Sequence, residues 1–173
     1  MSGIVLQDVS LYQSFNARYE GRPDVFFFAH NHTSRHLEIV NRVIDILFPD
    51  GTTVRTEGDP AQPLELYNRI HRAIGWDDPE HCRAMRANPE QAEKISKKNY
   101  VPRHKRLVKV AKALGRGEVV MAGATHAVRP SKYNKNVRSV DGPCVKDLHK
   151  ALSRLKLWTV IIRPDKDSQL SFH

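Results

Sequence analysis

Cysteine is nearly absent from this 173-residue chain: Cys82 and Cys144 stand far apart and alone. Without a Cys-x-x-Cys pair a zinc finger or ribbon is excluded, and two isolated thiols fit a reducing compartment rather than a disulfide framework. Long apolar runs are missing too. The longest candidate, Ile39 to Phe48, is broken by Asn41, Arg42 and Asp45, well short of the roughly 20 residues that a membrane helix needs. Met1 to Asp8 has no basic segment ahead of an apolar core, so neither a secretory leader nor a membrane span is expected. A cytoplasmic protein is expected, with delivery as a secreted effector left open. The chain holds no Gly-x-x-x-x-Gly-Lys-Ser/Thr loop, no Gly-x-Gly-x-x-Gly and no Gly-x-Ser-x-Gly, which removes the ordinary kinase, dinucleotide-binding and serine-hydrolase readings.

What is present is an excess of positive charge. Lysine and arginine exceed aspartate and glutamate by nine. Much of the excess lies in Lys94 to Arg116, and a second group runs from Arg129 to Lys156. Such a surface can recruit phosphates, nucleic acid or an anionic surface. Aromatic residues are not interleaved with these charges along the sequence, which argues against a platform for stacking single-stranded bases.

Length and composition suit one α/β domain spanning residues 1–173. Val25 to Ala29 is a continuous apolar run, as expected for a strand covered on both faces. Ser34 caps a helix whose Leu37, Val40, Val43, Ile44 and Leu47 make one stripe. Pro49-Asp50-Gly51 ends it, and Thr52 to Thr56 follows as a β-branched strand. A helix joining two strands through short loops favours a parallel pair with a right-handed crossover. Ile4 to Tyr12, Glu118 to Ala122 and Leu157 to Ile162 are further strands, and Val145 to Leu155 is a helix. Residues 64–114 read as a basic helical insertion, made of helices over 64–74, from Asp78 or Pro79 to Ala87, over 89–98 and over 102–114. Residues 165–173 read as a polar tail. The expected architecture is three-layer α/β, with a mostly parallel central sheet, helices on both faces and this insertion.

Three of the strands end in chemistry-bearing residues: His30-Asn31-His32, Glu57-Gly58-Asp59 and Gly123-Ala124-Thr125-His126. Ligands of open α/β sheets bind in the crevice at the carboxyl ends of the strands. If the three strands are parallel neighbours, His30, His32, Glu57 and His126 converge there. Residues two apart in an extended segment share a side, so His30 and His32 can share one ion. Glu57 then supplies an oxygen ligand or a general base, and His126 a third nitrogen ligand or a charge stabiliser. His36 and Asp59 are candidates for orienting them. Gly123 lets backbone approach closely and aim amides at an oxyanion. His71, His81, His104 and His149 have no carboxylate or histidine partner at useful spacing and read as surface or structural residues. The long loop Ala127 to Pro143 carries Arg129, Lys132, Tyr133 and Arg138, candidates for gripping substrate or phosphate.

This order of motifs resembles the erythromycin esterase/ChaN/TraB/Tiki superfamily, whose members carry two Gly-x-x-His-type motifs after hydrophobic strands and a glutamate ending the strand between them. Ala29-His30-Asn31-His32 stands for the first motif, with alanine in place of its glycine, and Gly123-Ala124-Thr125-His126 for the second. The resemblance places His32, Glu57 and His126 at the family's functional positions. It implies a hydrolase of amide, peptide or ester bonds, acting on a protein, peptide or ester substrate and assisted by a divalent metal ion (Zn, Mn or Co). It also implies the alternative of a member that binds a ligand such as haem, through His or Tyr133, without turnover. A basic nucleic-acid- or phosphate-binding protein is the alternative from a different class.

Overall fold

The computed structural model describes residues 8–60, 62–63, 71–128 and 143–165. Its elements in chain order are β1 (Val9–Phe15), β2 (Val25–His30), α1 (Ser34–Leu47), β3 (Thr53–Thr56), β4 (Gly58–Asp59), β5 (Gln62–Pro63), β6 (Arg72–Gly75), α2 (Pro79–Ala87), a 3-10 turn (Pro89–Gln91), α3 (Ala92–Lys98), α4 (Tyr100–Lys112), β7 (Val119–Gly123), α5 (Ala124–Ala127), α6 (Pro143–Arg154) and β8 (Thr159–Pro164). The fold is mixed α/β around a six-stranded sheet of order β1-β8-β2-β7-β3-β6. Within this sheet every pairing is parallel except that of β1 with β8, and β4 and β5 form a separate antiparallel pair. Among the described residues no helix is long and apolar enough to cross a membrane.

β2 lies at the centre, and all six of its residues are buried. Its side chains alternate between two cores. Val25, Phe27 and Ala29 pack with Leu107 and Ala111 of α4 and Leu148 and Leu152 of α6. Phe26 and Phe28 pack with Ile39, Val40, Val43 and Ile44 of α1. A large apolar side chain buried this way contributes about 1.5–3 kcal/mol relative to exposure, which explains why an uninterrupted apolar run is needed here. Thr33 caps α1 by accepting from the His36 amide, one position earlier than the Ser34 cap expected from the sequence.

β2, β7 and β3 are adjacent and parallel, with His30 registered against Gly123 and Val54 against Val119. The three strand ends therefore open on the same edge of the sheet. Between β3 and α2 the chain departs from the all-helical insertion read from sequence. Residues 64–70 lie outside the described residues, and Arg72–Gly75 forms β6, a parallel edge strand on β3, not the end of a helix. Gly75 is required there, because a Cβ would run into the carbonyl oxygens of Asp59 and Gly58. The close approach seats Trp76 and Asp77 behind the Glu57 turn: the Asp77 amide donates to the Gly58 carbonyl at 2.9 Å, and the Trp76 indole donates to the Met121 carbonyl at 2.8 Å.

Candidate active site

Glu57 follows β3 and is buried, and its carboxylate meets three groups. Oε1 accepts from the Gly123 amide at 2.6 Å. Oε2 stands 3.3 Å from His32 Nε2 and 3.8 Å from Arg103 Nη2. The His32 side chain is 60% exposed whereas that of Glu57 is 7% exposed, so the pair joins a buried carboxylate to an imidazole open to solvent. A Cβ on Gly123 would lie 2.9 Å from His32 Nε2 and 3.2 Å from Glu57 Oε1. The motif glycine is therefore needed for close approach, and its amide is consumed by Glu57 instead of being left for an oxyanion. Gly123→Ala is expected to cost about 1–3 kcal/mol through overpacking and to push His32 from Glu57, read as a lower denaturant midpoint.

Arg103 is the strongest feature that sequence reasoning did not single out. It is buried on the inner face of α4 with Tyr100, His104, Leu107 and Ala111. Its guanidinium holds Asp77 through Nε at 2.9 and 3.0 Å and through Nη2 at 2.7 Å. Burial works against its charge, but the Asp77 hydrogen bonds and the Glu57 and Asp77 charges outweigh that and raise its pKa. The legible signal was an arginine on the apolar stripe of an amphipathic helix, where a solvated cation does not belong.

His126 sits on α5, buried among rings. It stacks on Tyr100 with centroids 4.7 Å apart, meets Trp76 edge-on at 5.9 Å, and shares a 3.1 Å Nδ1–Nδ1 hydrogen bond with His104. One of these two rings must donate and the other accept. Tyr100 donates its hydroxyl to the Thr125 carbonyl at 2.7 Å and steadies the turn that carries His126. Burial, then the Arg103 charge, pushes the His126 pKa well below the usual histidine value. His30 is also buried; its Nδ1 donates to the Asn31 carbonyl at 3.2 Å, leaving Nε2 as the acceptor, and burial lowers its pKa. His36 accepts from the Asn31 amide at 3.2 Å and so orients the loop bearing His30 and His32. Asp59 accepts from Arg86 at 3.1 Å.

Two histidines read from sequence as lacking a carboxylate or histidine partner have one in the fold: His71 lies 3.1 Å from Asp45, and His104 holds His126. His81 on α2 is buried and accepts from Asn99 at 3.3 Å. Arg129, Lys132, Tyr133 and Arg138 lie outside the described residues. Among the described residues, no three His, Cys, Asp or Glu side chains are grouped to hold a metal ion.

His32, Glu57, Asp77, His81 and Arg103 line a cavity of about 760 Å³ closed on its far side by α2 and α3, within the range of small-molecule and peptide sites. Cys82 and Met85 complete its α2 wall. Burial, then the Asp77 and Asp59 charges, pushes the Cys82 thiol up to about 11, which removes it as a nucleophile at neutral pH.

Four buried histidines, His30, His36, His81 and His126, have lowered pKa values with burial as the leading cause. Each binds a proton more weakly when folded than when unfolded. Their contribution to stability is complete above the ordinary histidine value near 6.5 and is lost as pH falls below it toward their folded values. The denaturation midpoint is expected to drop between about pH 7 and pH 5, and His126→Gln to flatten that dependence.

No family model, no curated protein and no solved structure matches this chain.

Proposed function

We propose that the chain is a hydrolase of amide or ester bonds, working in the cavity at the carboxyl edge of a three-layer α/β domain. One observation carries the reading: His32 Nε2 and Arg103 Nη2 stand 3.3 and 3.8 Å from Glu57 Oε2 on the wall of a cavity of about 760 Å³. With Nε2 3.3 Å from Glu57 Oε2, His32 takes a proton from water at Nδ1, while the carboxylate stabilises the imidazolium that forms. Arg103 presents fixed positive charge to the oxygen of the tetrahedral intermediate. Asp77 holds that guanidinium in place through Nε and Nη2. His126, neutral and packed in rings, backs the Gly123 turn that seats Glu57. The resemblance carried by Ala29 to His32, Glu57 and Gly123 to His126 supports the same reaction class.

Metal assistance is the second reading, favoured by the nearness of the His30 and His32 rings, with centroids 5.2 Å apart, and of His32 to Glu57. The donor set with His126 fits an ion poorly: the His126 Nδ1 is taken by His104, and the Arg103 cation stands where a divalent ion competes for Glu57. The test is turnover of a panel of activated esters and fluorogenic peptides, with and without chelator. The acid–base reading expects activity that survives chelation and falls in His32→Ala. Activity lost on chelation and restored by Zn, Mn or Co supports the metal reading, and a panel with no turnover at all overturns both.

A further inference from the structure

A second concave surface lies across α4 and α6, on the far side of His104 from the cavity. Lys105, Lys109 and Lys112 follow one another at helical spacing along α4, and Lys150 and Arg154 do so along α6. Together they wall a groove of about 460 Å³ that has Val108 and Ala151 in its floor and also holds Asp147. Three residues at i, i+4 and i+7 cover roughly 10 Å of helix axis, a length that spans more than one phosphate of an extended strand.

These five cations differ from a set of basic residues elsewhere whose charge is neutralised. Arg18, Arg42, Arg55, Arg86, Lys97, Arg103 and Arg116 each pair with a carboxylate. Among the described residues, none of the five in the groove has a carboxylate within 4 Å. The result is concentrated positive charge along a channel instead of a neutralised surface.

Folding also supplies what the sequence order lacks. Lys150 borders a second hollow of about 580 Å³, lined by Tyr12 and Phe15 of β1 and His149 of α6. The rings are partly exposed. Phe15 meets His149 edge-on at 5.3 Å, Tyr12 tilts against it at 6.3 Å, and Arg163 lies over Tyr12 at 5.9 Å. The aromatics come from the far end of the sequence, brought to α6 by the antiparallel pairing of β1 with β8.

We propose that groove and hollow form one track for a single-stranded nucleic acid, with phosphates along Lys105, Lys109, Lys112, Lys150 and Arg154 and an unpaired base against Tyr12 and Phe15. Cations that follow a backbone beside ring faces that accept a base are the two components of such sites. An acidic peptide would use the charge and leave the rings idle. Duplex DNA or RNA would offer no free base to the hollow.

The experiment is fluorescence anisotropy with labelled strands of about twelve nucleotides. RNA, DNA and the duplex of the same sequence are compared from about 50 to 200 mM salt. Single strands are expected to bind with an affinity that falls steeply with salt, and better than the duplex. Lys109→Glu with Lys150→Glu is expected to weaken binding more than tenfold and to flatten the salt dependence. Tyr12→Leu with Phe15→Leu, which keeps apolar bulk under the strand, is expected to weaken it about tenfold with the salt slope unchanged. Thermal melts check that both double variants fold, and hydrolysis in the separate cavity is expected to be untouched. Failure of single strands to bind at low salt overturns the proposal. So does equal binding of duplex and inorganic polyphosphate with the leucine variant neutral.

Discussion

Glu57→Gln is expected to lower turnover by a factor of about 10² to 10⁴ while leaving the fold in place. Glutamine keeps the size of the side chain and still presents a carbonyl oxygen to the Gly123 amide, now held at 2.6 Å by Oε1. What disappears is negative charge beside His32 Nε2 and Arg103 Nη2. An imidazolium formed at His32 then has no counter-charge, and the cost falls on the transition state, so the loss belongs in kcat more than in KM. Glu57→Ala is expected to lose activity to the same extent and stability as well, because the buried Gly123 amide is left without an acceptor at a cost of about 1–3 kcal/mol. Steady-state kinetics on both variants, with melting curves, separate the two effects. Turnover in Glu57→Gln within tenfold of the parent would falsify the acid–base role.

The second large effect concerns stability. Asp77→Ala is expected to destabilise the protein by about 3–5 kcal/mol, because it strands the buried guanidinium of Arg103. Side-chain exposures of 9% for Arg103 and 3% for Asp77 leave little water to take over. Three hydrogen bonds are removed together, along with the Asp78 amide's acceptor at 2.8 Å. For a chain of this size the melting temperature should fall by roughly 10 °C or more. The partner experiment is Arg103→Met with Asp77→Leu. Apolar replacement of both charges is often neutral or better, so the double variant is expected to regain most of the stability and none of the activity. A single variant that loses less than about 1 kcal/mol would mean that solvent reaches the pair.

The sheet's centre was legible because its signals are local and agree with one another. Val25 to Ala29 is too apolar for a half-exposed strand, Thr53 to Thr56 is β-branched, and the α1 stripe between them repeats at helical spacing. Parallel pairing followed from connection length, and with it the meeting of the His32 loop with Glu57. Other parts depended on distant partners. Arg72–Gly75 carries Ile74 at helical spacing from Ile70, and only hydrogen bonding to β3 makes it a strand. Arg103 sits in a run of cations, most of them solvated, and its neighbours Glu57 and Asp77 come from other elements. His104 had no sequence neighbour to pair with, since its partner His126 arrives through the packing of α4 against β7 and α5. The aromatic hollow beside α6 was hidden for the same reason, because Tyr12 and Phe15 belong to β1.

Because β2 is flanked by β7 and β8, its Phe26-Phe27-Phe28 segment leaves the ribosome long before either neighbour has been synthesised. During translation that segment has only α1 to cover one face, and both hydrogen-bonding edges stay open. An early apolar strand that waits for late partners is a site where nascent chains stick to one another. Its yield in the cell should therefore follow the supply of chaperones that shield exposed strands more closely than it follows the stability of the finished protein.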